Sequence, residues 1–185
     1  SDVREVIEEE TARLEELAKQ FAALGRPAAG PASEVDVSEL LGGLLASDVP
    51  PSIRSSLRVE PGTSPIRAYY DALLRAFRNL VRNAVEATAA RGEDARIELA
   101  VGPSGGGVEV VVADNGAGIP DALLERIFEP DFTRKPGGTG LGLAVVRQTV
   151  LAHGGRVSAR PRPGGGAEFI VQLPGAPDAS TNGVP

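Results

Sequence analysis

Apolar positions recur along this chain with two periods, and each marks a different element. In residues 2–24, Val3, Glu10, Leu17 and Leu24 fall on one seven-spaced row and Ile7, Leu14 and Phe21 on another. Together they make the seam of a helix that packs against a partner, with one polar interruption. Gly25, Pro27, Gly30 and Pro31 end it and form a linker, so a domain boundary is expected near residue 30. Val35 to Ala46 reads as a short strand followed by a helix capped by Asp36 or Ser38. Ile53 to Val59 reads as a short strand, and Pro65 to Ala90 as one long helix with Leu73, Phe77, Leu80, Ala84 and Ala87 on its apolar stripe.

Strand periodicity takes over after Gly92. Ala95 to Val101 and Val108 to Ala113 are two strands joined across the loop Gly102 to Gly107. A short helix is expected over Pro120 to Phe128, with Pro near its start. A further helix is expected over Leu141 to Ala152, ended by Gly154 and Gly155. Arg156 to Arg160 and Ala167 to Leu173 form a closing hairpin, and the stretch from Pro174 to Pro185 has no periodicity and reads as a disordered tail.

Composition narrows the function classes. With 185 residues and 42% apolar content, the chain can bury one ordinary core and carry an appendage. A formal charge of −6 without a dense Lys/Arg cluster argues against nucleic acid as a partner. The chain has no cysteine and a single histidine, His153, so thiolate and histidine-rich metal centres are excluded. No apolar run approaches the roughly 20 residues that span a bilayer. A cytoplasmic domain without membrane contact is expected, any anchor lying outside these residues.

The chemistry concentrates in residues 114–142. The β-branched run Val108 to Ala113 delivers the carboxylate of Asp114 to a strand end, where it can accept hydrogen bonds from a ligand's amino group. The glycines Gly116 and Gly118 follow, and a second cluster at Gly137, Gly138, Gly140 and Gly142 opens into an apolar helix. Amides gathered at a helix start favour an anion such as phosphate. On the long helix Asn79 and Asn83, four apart, stack on one face beside the apolar stripe. Carboxamide oxygens suit Mg²⁺ that takes the rest of its shell from phosphates and water, although such a pair can equally cap a neighbouring backbone or face water.

These motifs, in this order, resemble the GHKL (Bergerat-fold) ATP-binding superfamily, and most closely the catalytic domain of a sensor histidine kinase. Asn79-Leu80-Val81-Arg82-Asn83-Ala84 looks like its N box and Asp114-Asn115-Gly116-Ala117-Gly118-Ile119 like its first glycine box. Ile127-Phe128-Glu129-Pro130 with Phe132 resembles the F box, and Gly138-Thr139-Gly140-Leu141-Gly142-Leu143 the second glycine box. The likeness covers about residues 35–174, and Phe132-Thr133-Arg134-Lys135 with a short lid is nearest to nitrogen-regulatory-type kinases.

The resemblance implies an α/β (α+β two-layer) sandwich, a mixed sheet with helices on one face, preceded by a coiled-coil-like helix. Residues 1–30 would be the last helix and linker of a dimerisation and phosphotransfer domain, 31–174 the ATP-binding domain and 175–185 the tail. Asp114 would bind the adenine amino group, with Gly116 and Gly118 letting the backbone pass close to the base. Asn83 would hold Mg²⁺, supported by Asn79. Lys135, and less directly Arg134, would approach the phosphates from the lid. Gly138, Thr139, Gly140, Leu141 and Gly142 would present the helix start to them, and Phe128 and Phe132 would anchor the lid.

The implied activity is transfer of the ATP γ-phosphoryl to a histidine outside this fragment, for relay to a response regulator receiver domain. Dimerisation would run through the chain's own helices. The catalytic acceptor is absent, since His153 sits where the family has a histidine of structural role. Asn79 stands where hydrolytic relatives usually carry a glutamate base, so slow hydrolysis is expected. Glu86 departs from a basic residue that many of these kinases place there, and Ala167 from a threonine. The alternatives are a GHKL serine kinase or ATPase and a nucleotide-sensing pseudokinase module.

Overall fold

The computed structural model describes residues 31–133 and 139–175, together with Ile7 and Thr11, which are helical. The rest of the expected seam helix and linker, and the tail from residue 176, lie outside the described residues. Strand β1 (Ser33–Val35) pairs antiparallel with β3 (Ile66–Ala68), in register Ser33 with Ala68 and Val35 with Ile66. Between them lie helix α1 (Val37–Asp48) and strand β2 (Arg54–Val59). Helix α2 (Tyr70–Thr88) follows β3. Then come β4 (Arg96–Ser104), β5 (Gly107–Asp114), helix α3 (Gly142–Ala152), β6 (Arg156–Pro161) and β7 (Ala167–Leu173).

The main sheet has the order β2-β4-β5-β7-β6. Only β2 and β4 run parallel. A parallel pair needs a crossover, and here α2 lies within it. One face of the sheet is apolar: Ile97, Leu99 and Val101 of β4, Val108, Val110 and Val112 of β5, and Phe169, Val171 and Leu173 of β7 are all buried. Against it lie Val37, Leu40, Leu41 and Leu44 of α1 and Leu73, Phe77, Leu80 and Ala84 of α2, in one core cluster. The opposite face carries polar pairs such as Arg160 with Glu168 at 2.6 Å, and Glu98 with Arg162. Period-2 alternation thus puts the helices on one side only, as expected.

Three expectations change. The long helix begins at Tyr70 rather than Pro65, because Ile66 and Ala68 bury their side chains in a short strand instead. The β4–β5 loop is only Gly105-Gly106, both at positive φ (55° and 80°), as a two-residue hairpin turn requires, so the strands run on through Gly102 to Ser104. The helix expected over 120–128 is two three-residue 3₁₀ turns, Asp121–Leu123 and Arg126–Phe128. So short a segment recovers too few bonds to offset the cost of nucleating an α-helix.

His153 joins the ends of two helices. Its Nδ1 lies 2.7 Å from the Thr149 carbonyl and so donates to it, while its Nε2 accepts the backbone N–H of Tyr69 at 3.1 Å. Both ring nitrogens are used, and the ring packs edge-on against Tyr69 with centroids 5.4 Å apart. This is a structural histidine, tying the start of α2 to the end of α3. No helix among the described residues is long and apolar enough to cross a membrane.

Asp36 is the N-cap of α1, and its Oδ1 accepts the amides of Ser38 at 2.9 Å and Glu39 at 3.2 Å. The hydrogen bond from the Ser38 hydroxyl, then that from the Glu39 amide, hold its carboxyl below the ordinary aspartate value. A lowered folded pKa gives stability that is present above the ordinary value and lost as pH falls through the folded one. Asp36→Ala is expected to cost about 1 kcal/mol at neutral pH. Urea titrations should show that difference shrinking as the pH drops below the aspartate range.

Candidate functional site

Strand β5 ends on Asp114, a polar residue that is only 2% exposed. Its Oδ1 accepts the backbone N–H of Gly116 at 2.8 Å, so the chain turns back onto the carboxylate. Asn115 fixes the turn from both sides: its carbonyl accepts the Arg96 amide and its amide donates to the Asp94 carbonyl, each at 2.8 Å. Gly116 then meets the end of α2. A Cβ on Gly116 would lie 2.4 Å from the Ala87 carbonyl oxygen, so only glycine fits. The next amide, Ala117 N–H, donates to that same carbonyl at 3.3 Å.

The second glycine segment touches α2 elsewhere. Gly140 sits at φ 66° with its α-carbon against the Asp131 backbone, and Leu141, 1% exposed, is the residue that precedes α3. Thr139 Oγ1 accepts the Leu141 amide at 3.4 Å. A Cβ on Gly142 would lie 3.7 Å from the Asn79 carboxamide and 3.8 Å from Nη2 of Arg82. Asn79 and Ala87 are eight residues apart, about 12 Å along a helix axis. The two glycine segments therefore meet α2 two turns apart, and the side of the helix between them is left uncovered.

That gap is a cavity of about 700 Å³, within the range of roughly 300–1,000 Å³ typical of small-molecule sites. Asn83, Asp114, Gly118, Phe132, Thr139, Gly140 and Gly142 line it. Gly116, Asn79 and Leu141 stand behind these as supports: Gly116 under Asp114, Asn79 beside Gly142, and Leu141 in the core. Phe128 is buried and packs edge-on against Phe169, centroids 6.3 Å apart, whereas Phe132 lies under the Arg126 guanidinium at 5.5 Å. Arg134, Lys135 and Gly138 lie outside the described residues.

For the rest of the lining the sequence assigned no ligand contact, although Ile119, Ile127 and Leu143 fall inside the motifs it picked out. Ala87, Ala89, Ala90, Ile119, Ile127, Leu143 and Phe169 make the apolar walls. Small and aliphatic residues of this kind look the same in a sequence whether they face a core or a slot. Arg82 and Glu86 also line the cavity. Their signal was available, because Arg82 is three residues from Asn79, and Glu86 three from Asn83, on the same helical face. Ala167 lines the cavity too, buried at 3%.

The residues present fit a magnesium-bound nucleoside triphosphate. A buried carboxylate suits an amino group, apolar walls suit a flat base, and a helix start with a guanidinium and a carboxamide nearby suits phosphates and their metal. Among the described residues no three His, Cys, Asp or Glu side chains gather as a metal cluster. A metal here would share a carboxamide with the ligand's own oxygens.

Known proteins agree with this geometry. The family described as histidine kinase-, DNA gyrase B- and HSP90-like ATPase matches residues 68–177. The sensor histidine kinase ZraS of Klebsiella oxytoca is 37% identical over 174 residues, which are 91% of this chain and 37% of that protein. The chain thus spans well under half of this relative. The catalytic domain of histidine kinase ThkA superposes with a TM-score of 0.70 at 30% identity, covering 79% of this chain and 97% of that one. ThkA in complex with the response regulator TrrA gives a TM-score of 0.76 at 27% identity, over 94% of this chain and 51% of that one. Full-length ShkA in complex with AMPPNP gives 0.77 at 30% identity, over 95% of this chain and 39% of that one. With its mixed sheet, one-sided helical layer and two glycine segments, this chain belongs to the family of histidine kinase-, DNA gyrase B- and HSP90-like ATPases, and its fold is that of histidine kinase catalytic domains.

Proposed function

We propose that this chain is the catalytic region of a two-component sensor histidine kinase, binding Mg-ATP in the cavity between α2 and the two glycine segments. The observation that carries the reading is the buried Asp114 carboxylate opening onto a slot whose far end is the start of α3. Asp114 would accept a hydrogen bond from the adenine amino group. The turn at Gly116 and Gly118 would let the backbone lie along the base, and the aliphatic walls would exclude water from it. Asn83 would ligate magnesium, with Asn79 holding the neighbouring helix start in place. Gly138, Thr139, Gly140, Leu141 and Gly142 would present the helix start to the phosphates, with Lys135 approaching from the lid and Phe132 at its base.

When bound, magnesium supplies charge neutralisation on the phosphate oxygens. The carboxamide of Asn79 cannot take a proton from water, so at this position the chain lacks the base that hydrolysis would use. Transfer then waits for an acceptor. An imidazole nitrogen of a histidine outside residues 1–185 would form the P–N bond as the bond from the γ-phosphorus to the bridging oxygen breaks and ADP leaves. The phosphoryl group would pass next to a receiver domain, in the cytoplasm, with the chain's own lead-in helix contributing to a dimer. The complexes of ThkA with TrrA and of ShkA with AMPPNP support the partner and the ligand respectively.

The decisive experiment mixes the chain with Mg-ATP and a separate helix pair carrying the acceptor histidine. Acid-labile phosphate on that histidine is expected. Acid-stable phosphate on serine, or ATP binding without any transfer, would refute the kinase assignment. Asp114→Asn is expected to weaken ATP binding by at least tenfold, by analogy with the loss of a charge-assisted hydrogen bond, and an unchanged affinity by calorimetry would contradict the adenine contact. Asn83→Ala should raise the magnesium concentration needed for half-maximal ATP binding; an identical requirement in both proteins would remove the metal from this residue.

A further inference from the structure

Of the described residues that line the cavity, Arg82 alone carries a positive charge, and it does so on the helix wall rather than in the lid. Its guanidinium lies at the end of the slot where Gly142 begins α3: Nη2 is 3.8 Å from the point a Gly142 Cβ would occupy, beside the Asn79 carboxamide. Its partner is Glu86, one turn on, with Arg82 Nε 3.7 Å from Oε1 and the two side chains 46% and 42% exposed. That distance is beyond a hydrogen bond. The order, cation first and acid four residues later, is also the weaker arrangement on a helix. Arg82 is therefore held in the cavity by a loose, water-accessible restraint that an incoming anion can displace.

We propose that Arg82 is the phosphate-binding cation of the helix wall, and that Glu86 competes with the nucleotide for it. The proposal deepens the reading of the cavity as an ATP site and rests on it. A guanidinium presents paired N–H donors that match phosphate oxygens. Placed beside the start of α3, it reaches the same anion that the helix amides favour. Glu86 then sets a threshold. A nucleotide with its full phosphate chain outbids one carboxylate for Arg82, whereas adenosine has nothing to offer it. The Arg82–Glu86 pair thus makes the slot selective for phosphate-bearing ligands without touching the base.

Calorimetry with Mg-ATP, and competition with adenosine, on four forms of the chain separates the possibilities. Arg82→Gln is expected to weaken ATP about tenfold, the worth of a charge-assisted hydrogen bond, and to leave adenosine unchanged. Glu86→Gln is expected to tighten ATP about two- to fivefold, as release of an exposed ion pair allows. In the Arg82→Gln background that gain should vanish, because Glu86 acts through Arg82. Both side chains are half-exposed, and matching urea midpoints for the variants would establish that folding is intact. Equal losses for ATP and adenosine, or none, would overturn the assignment of Arg82. A Glu86→Gln gain that persists without Arg82 would overturn the competition and leave simple repulsion of phosphate by the carboxylate. Failure of the unmodified chain to bind ATP would overturn the cavity reading as well, so the two failures are distinguishable.

Discussion

The hydrogen bond from the Gly116 amide to the Asp114 carboxylate is the point on which the site depends. A buried carboxyl group is tolerated only when it is hydrogen-bonded, and here the chain supplies a partner by doubling back within two residues. That turn is closed from the other side by the Ala87 carbonyl at the end of α2, 2.4 Å from where any Gly116 side chain would begin. The Arg91 guanidinium caps the Gly116 carbonyl at 3.1 Å. Gly166, in the β6–β7 turn, packs onto the Asp114 backbone from below, at φ 96°. Helix, strand end and hairpin turn thus converge on one carboxylate, and the cavity opens where they part.

From that point the geometry of α2 governs the rest. Its apolar stripe lies on the sheet, which fixes the rotation of the helix and so turns Arg82, Asn83 and Glu86 toward the slot and Asn79 toward Gly142. Contacts with Gly116 at one end and Gly142 at the other then hold the two loops about two turns apart. Neither loop needs to recognise a ligand alone. A base at one end and phosphates at the other are matched by a spacing that the helix measures, and the anchoring of α3 to Tyr69 through His153 keeps that spacing from sliding.

The main-sheet strands and both glycine segments were legible because their signals are local: β-branched runs bounded by glycine, and glycines demanded by close backbone approach. The helix cap at Asp36 was legible for the same reason. What escaped is non-local. Strand β3 is three residues long and gains its identity only by pairing with β1. The 120–128 segment has the composition of a helix but lacks a continuous face to bury, and breaks into two turns. That Ala87, Ile119 and Phe169 wall a cavity rather than the core escaped, because an apolar residue carries no mark of which void it faces. Glu86, noted in the sequence only as a departure, gains meaning from its distance to Arg82.

The most direct measurement is a crystal structure of the chain with magnesium and a non-hydrolysable ATP analogue. The expected density places the adenine amino group within hydrogen-bond distance of the Asp114 carboxylate, with the phosphates beside Asn83 at residues 139–142. Density for the nucleotide anywhere other than between α2 and these two glycine segments would contradict the account.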